Sequence, residues 1–170
     1  MVEIIEANAK HIPIIVQIAE TTWAATYHAI LTPDAMRYML DTIYGHETLQ
    51  KVITDGSQRF LLLKDKNGFA GFAAYGKRPD EPGIFKLHKI YVLPENQGNG
   101  YGKILIDAVK KQLAEYKATA LDLNVNRYNP AQHFYKKLGF KIIREEDVPV
   151  GQYFMNDYVM RLELGKNGLA

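Results

Sequence analysis

The chain has 170 residues, 47% of them hydrophobic, which suits one domain with one sizeable core. Its 21 Lys and Arg against 19 Asp and Glu leave a net charge of +2, and no basic run exceeds a pair such as Lys110-Lys111, so nothing supports nucleic-acid binding. Cysteine is absent, which removes disulfides, thiolate metal sites and cysteine nucleophiles.

No apolar run approaches the ~20 residues of a membrane span. The start, Met1-Val2-Glu3-Ile4, lacks the basic head and apolar middle of a signal peptide. The expectation is a cytoplasmic protein with no membrane partner and no metal.

Residues 2–6 read as a strand. A helix is predicted from about His11, with Pro13 in its first turn, where a missing N–H has no partner to lose. Ile12, Ile15, Val16, Ala19 and Trp23 recur on it at helical spacing. Leu31-Thr32-Pro33 interrupts the helical stretch; Thr32 is placed to cap a second helix, with Pro33 first and Asp34 favoured by the helix dipole. Gly45 separates helices over 36–44 and 47–53. Residues 59–64 and 69–75 flank Asp65-Lys66-Asn67-Gly68, and Asn-Gly between apolar runs signals a hairpin. A polar loop at 78–83 precedes a strand at 84–92.

Over 103–116 an amphipathic helix is expected, with Ile104, Leu105, Ala108, Val109, Leu113 and Tyr116 on its inner face. Residues 120–125 are strand-like. Asn129-Pro130 opens another helix that Gly139 ends, and 141–144 and 153–164 read as a final strand pair. The order predicts an α/β (α+β) domain: a mixed, mostly antiparallel sheet flanked by helices, gaining a parallel crossover in its second half. Residues 1–165 form this single domain and 166–170 a short C-terminal tail.

The segment Gln97-Gly98-Asn99-Gly100-Tyr101-Gly102-Lys103 lies between a strand and a helix. Glycines there let backbone N–H groups converge on an anion at the positive end of the helix dipole, so the turn reads as a phosphate cradle. A nucleoside-triphosphate loop is rejected, because Ile104 stands where a magnesium-binding hydroxyl is required. A dinucleotide fingerprint is one residue short, although Asp122 lies twenty residues on as a ribose-binding acid would. A plain capping loop is the remaining alternative.

Gln97-x-x-Gly100-x-Gly102 after Ile90-Tyr91-Val92-Leu93-Pro94 resembles the coenzyme A pyrophosphate loop of the GNAT N-acetyltransferase family. Asn129-Pro130-Ala131-x-x-Phe134-Tyr135-Lys136-Lys137-Leu138-Gly139-Phe140 resembles its second signature. The likeness covers most of the chain, and the first half looks most like the spermidine/spermine acetyltransferase type. It implies an acyl-CoA N-acyltransferase-like fold, acetyl-CoA as co-substrate and transfer of its acetyl group to a primary amine, a small amine or polyamine. A protein N-terminal or lysine acetyltransferase and a non-catalytic acyl-CoA sensor are the alternatives. Homodimers are the family analogy for assembly.

The resemblance also implies roles. Amides of Gln97, Gly98, Asn99, Gly100, Tyr101, Gly102 and Lys103 bind pyrophosphate. Ile90, Tyr91 and Val92 line the pantetheine arm, with backbone of Ile90 and Val92 holding it and the acetyl carbonyl. Tyr135 is the general acid. Asn129 is either the pantetheine-binding asparagine or a helix cap, with Asn124 and Asn126 as alternates. Where relatives carry glutamate this sequence has Lys86 and His88, and His88 is the expected base, directly or through water, or else a structural histidine. Strand alternation puts Lys86, His88 and Ile90 on one face and Leu87, Lys89 and Tyr91 on the other. Trp23, Tyr27, His28, Tyr38, Tyr153 and Asp157 are candidates around the acceptor.

Overall fold

The computed structural model describes residues 1–165; the expected tail at 166–170 lies outside the described residues. β1 (Glu3–Glu6) leads through a 3-10 turn (Ala9–His11) into α1 (Ile12–Tyr27). Asn8 and His11 cap that turn reciprocally, so the α-helix starts one residue later than His11. α2 (Pro33–Tyr44) begins as its residues dictate: the Thr32 hydroxyl accepts the Ala35 N–H at 3.2 Å, with Pro33 first and Asp34 in the first turn. Gly45 separates it from α3 (His46–Thr54).

A hairpin of β2 (Arg59–Asp65) and β3 (Gly68–Lys77) follows, then β4 (Ile84–Val92), α4 (Tyr101–Glu115), β5 (Ala120–Asn126), α5 (Ala131–Lys137), β6 (Lys141–Val150) and β7 (Tyr153–Glu163). Among the described residues seven strands form one sheet in the order β1-β2-β3-β4-β5-β7-β6. All neighbours are antiparallel except β4 and β5, which α4 connects as a crossover.

Helices cover both faces of the first half. Leu105, Ile106, Val109 and Leu113 of α4 pack on Leu61, Leu63, Leu121 and Leu123. Ile12, Ile15, Trp23, Met39 and Leu49 pack on Phe60, Leu62 and Phe72 from the other side. Burial on two faces explains why β2 is an unbroken apolar run. Ile106 joins the inner face of α4, whereas Tyr116 is 41% exposed and caps the helix end against Phe85.

The alternation expected along β4 fails at one residue. Ala74 pairs with Lys89 and Tyr75 with Leu87, so His88 is the extra residue of a β-bulge. Ile90 therefore packs with Phe85 and Leu87 on the α4 side, while Lys89 and Tyr91 face the rings of the α1–α3 side. A bulge bends its strand and increases the local twist. Here β4 and β5 stay paired only from Ile84–Ala120 to Leu87–Leu123, and they part beyond it.

On the face turned away from α4, the β5 and β7 part of the sheet carries charge. Asp122, fully buried, accepts from Arg78 Nε at 3.0 Å and from Arg161 Nε and Nη2 at 2.7 and 3.0 Å; Arg161 also reaches Glu81 at 3.3 Å. That network occupies Asp122 and ties the 78–83 loop to β5 and β7.

Candidate active site

The parting of β4 and β5 leaves a cavity of about 130 Å³. It is lined by His88, Ile90, Tyr91, Val92, Gln97, Asn124, Asn129 and Tyr135, which bridges both sequence signatures, together with Thr22, Thr26 and Tyr27 of α1. Unpaired strand ends supply its free backbone groups, because, among the described residues, 88–92 have no partner on the β5 side. The Gln97 side chain donates to the Val92 carbonyl at 3.1 Å and fixes the turn at that strand end.

Gly98, Asn99, Gly100, Tyr101, Gly102 and Lys103 lie outside the cavity, at the mouth of α4. Gly98 and Gly100 hold φ of +88° and +78°, the left-handed region where glycine is at ease. Among the described residues, the N–H groups of 98–103 have no acceptor, and Gly100 caps α4 without a side-chain bond. Free amides at a helix start form an anion site. The Tyr101 hydroxyl donates to Asp65 Oδ2 at 2.8 Å, tying the loop to the β2–β3 turn, and Lys103 pairs with Asp107 at 2.8 Å. A Cβ at Gly102 would lie 3.0 Å from the Phe134 ring, so the second signature packs directly on the first.

Tyr135 sits on the buried face of α5, 8% exposed, while Phe134 beside it is 36% exposed. Burial, and secondarily the Tyr27 hydroxyl, pushes the Tyr135 pKa far up, so the phenol keeps its proton. Asn129 Oδ1 accepts the Ala131 N–H at 2.9 Å and its amide approaches the Tyr27 hydroxyl at 3.5 Å. Its local role as a cap thus coexists with a place on the cavity wall, and α5 itself begins at Ala131.

His88 lies in the bulge with Nε2 close over Gly76. Burial, then the charges of Lys86, Lys89 and Arg78, push its pKa down to about 3. The imidazole is neutral at working pH, able to accept a hydrogen bond but weak at retaining a proton. Lys89 is itself buried, bonded to Gln58 Oε1 at 2.5 Å and set over the rings of Tyr44 and Phe60 at 5.6 and 5.5 Å. Burial, then Lys86, brings its pKa down to about 8.

Of the acceptor-side candidates, Tyr27 lines the cavity and Trp23 packs behind it, with ring centroids 4.7 Å apart. Tyr38 and Tyr153 pair at 5.5 Å, closing α2 on the β6–β7 hairpin. His28 faces a separate hollow with Leu31 and Met36, away from these groups. Asp157 stands beside Asn124, whose Nδ2 donates to Asp157 Oδ2 and Glu146 Oε1 at 3.2 Å each. Glu146 escaped the sequence reading; an acid in the run Arg144-Glu145-Glu146-Asp147 signals only a solvated strand.

The sheet thus splits beside a glycine-opened helix, and Tyr135 lies buried on the wall of the split. The family model for the acetyltransferase (GNAT) domain matches residues 26–162. The chain belongs to that family, and it is an N-acetyltransferase that uses acetyl-CoA as acetyl donor and an amine as acceptor. It is 28% identical over 148 residues to an uncharacterized N-acetyltransferase of Mycobacterium tuberculosis, covering 86% of this chain and 94% of that one. To the [ribosomal protein bS18]-alanine N-acetyltransferase of Haemophilus influenzae it is 38% identical over 85 residues, 49% of this chain and 56% of that one. Its fold matches the PaiA N-acetyltransferase of Thermoplasma acidophilum, solved with coenzyme A, at a TM-score of 0.82 and 22% identity, covering 96% and 99% of the two chains. No helix among the described residues is long and apolar enough to cross a membrane.

Proposed function

We propose that the acceptor is a small primary amine, polyamines included, and that Tyr135 is the acid of the reaction. The observation that carries this reading is the narrow cavity of about 130 Å³ with the Tyr135 phenol on one wall and the Asn124 amide, backed by two carboxylates, on another. Bound acetyl-CoA supplies an electrophilic thioester carbonyl. The amides of 98–103 hold the pyrophosphate, and the free backbone at Ile90 with the Val92 N–H holds the pantetheine arm and orients the carbonyl. Asn129 and Asn124 border the arm from the β5 side. Tyr135 delivers its proton to the departing sulfur. His88, neutral and weak at holding a proton, accepts a hydrogen bond that orients water beside the attacking nitrogen.

A second reading, acetylation of a protein N-terminus, is favoured by the identity shared with the H. influenzae enzyme over half of this chain. Thiol release from acetyl-CoA separates the two. Against spermidine, simple diamines, monoamines, an alanine-terminated peptide and a lysine peptide, turnover is expected to concentrate on the small amines. Turnover confined to the peptides would contradict the proposal.

A further inference from the structure

We propose that Asp157 is the group that receives the acceptor's ammonium and takes its proton, held in position by Asn124 and Glu146. The inference rests on the acceptor being an amine.

Asp157 differs from the acids around it. On β6, Glu145 and Asp147 are both held by Arg127, and Glu146 has Arg144 at 3.7 Å. On β5, Asp122 is held by two arginines. Asp157 is only 7% exposed, yet among the described residues no cation lies within ion-pair distance and its one partner is the neutral Asn124 amide. A buried carboxylate without a counterion is expensive to keep in a fold. The amide is oriented by its two carboxylate acceptors, which leaves Asn124 Oδ1 buried with no donor among the described residues. An unpaired carboxylate beside an orphaned amide oxygen lacks a group rich in N–H donors and positive charge. Asn124 itself lines the cavity where the β4 and β5 ends part, so such a group would enter beside the thioester.

The charged and titratable groups facing Asp157 come from every neighbouring element. They are Lys86 and Tyr91 of β4, Glu146 of β6, Arg127 after β5 and Tyr27 of α1. Burial is the main influence on its pKa and raises it, the Asn124 bond and Lys86 opposing. A carboxyl titrating above its ordinary range is better matched to proton uptake than the His88 imidazole.

In the proposed sequence the ammonium N–H proton passes to the Asp157 carboxylate, and the freed nitrogen lone pair forms the C–N bond at the acetyl carbon. The C–S bond breaks and its electron pair leaves on sulfur, which Tyr135 protonates. The second nitrogen proton returns to Tyr135 through water, and Asp157 gives its own to solvent. The balance is one amide, one thiol and one released proton.

The test is the pH profile of kcat/KM, measured with whichever acceptor turns over fastest. Small amine and peptide each present an ammonium, so a peptide preference would contradict the acceptor proposal and leave this test intact. Wild type should gain activity as pH rises through a limb above the ordinary carboxylate range, since the base must be ionised. Asp157→Asn should lose about 100-fold in kcat/KM and the limb with it, with coenzyme A affinity unchanged. Asp157→Glu should restore part of the rate and move the limb.

The Asn variant should melt no lower than wild type at neutral pH. A carboxyl whose folded pKa is raised loses stability as pH climbs from its unfolded to its folded value, and the amide removes that loss. Retention of the wild-type limb by Asp157→Asn, or its loss in His88→Gln instead, would overturn the assignment.

Discussion

Tyr135→Phe is expected to lower kcat by about 10²–10⁴-fold, the range a positioned proton donor contributes. The ring stays in its contacts with Phe134 and Phe140, at 5.4 and 5.8 Å, so only the hydroxyl is removed. Affinity for acetyl-CoA should therefore change little, and the melting temperature should hold. That split, kcat falling with coenzyme A binding preserved, distinguishes an acid from a packing residue. The pH profile adds a second check. Burial raises the phenol pKa, so wild type should show no loss of its acid below about pH 10, the ordinary tyrosine value. Steady-state kinetics and calorimetric titration of coenzyme A measure both. A Phe variant with a wild-type rate would leave the tyrosine as core.

The second large effect is on stability. Asp122 is fully buried and accepts three hydrogen bonds from Arg78 and Arg161. Asp122→Asn keeps the volume but removes the charge that both guanidiniums need, and its amide turns donors toward donors. Breaking a buried charged pair costs about 3–5 kcal/mol. For a domain of this size that corresponds to a fall in melting temperature of about 6–20 °C. Thermal unfolding followed by circular dichroism measures it. A variant within about 1 kcal/mol of wild type would show that the arginines find other partners.

Local signals carried much of this fold into the sequence. Thr32-Pro33-Asp34, Gly45, Asn67-Gly68 and the 97–103 turn announce their helix starts and hairpin in a few residues, and the elements stand where those residues put them. Helix faces were legible where the 3.6 period was clean, and Tyr116 departed from its face because the helix ends there. The β-bulge was not legible. One inserted residue at His88 reverses the alternation after it, and nothing in Phe85-Lys86-Leu87-His88-Lys89-Ile90 marks the insertion.

Long-range pairing was equally hidden. Glu146, Asn124 and Asp157 lie 22 and 33 residues apart and meet only because β7 inserts between β5 and β6. The unequal lot of the acids is a fact of three dimensions too: Arg127 and Arg144 pair with the β6 run, while among the described residues Asp157 has no cation within ion-pair distance. Likewise the low pKa of His88 follows first from burial of the ring and then from the charges of Lys86, Lys89 and Arg78, a setting only the folded chain assembles. In sequence a histidine between lysines reads only as a titratable group of ordinary range.

The split between β4 and β5 is expected to seat the thioester end against Tyr135 while the 98–103 amides hold the pyrophosphate. A crystal structure of the enzyme with coenzyme A measures this most directly. The sulfur is expected within about 3–3.5 Å of the Tyr135 hydroxyl, a near-attack separation, and phosphate oxygens on the free amides of 98–103. Coenzyme A bound elsewhere, or its sulfur on the far side of β4 from Tyr135, would contradict it.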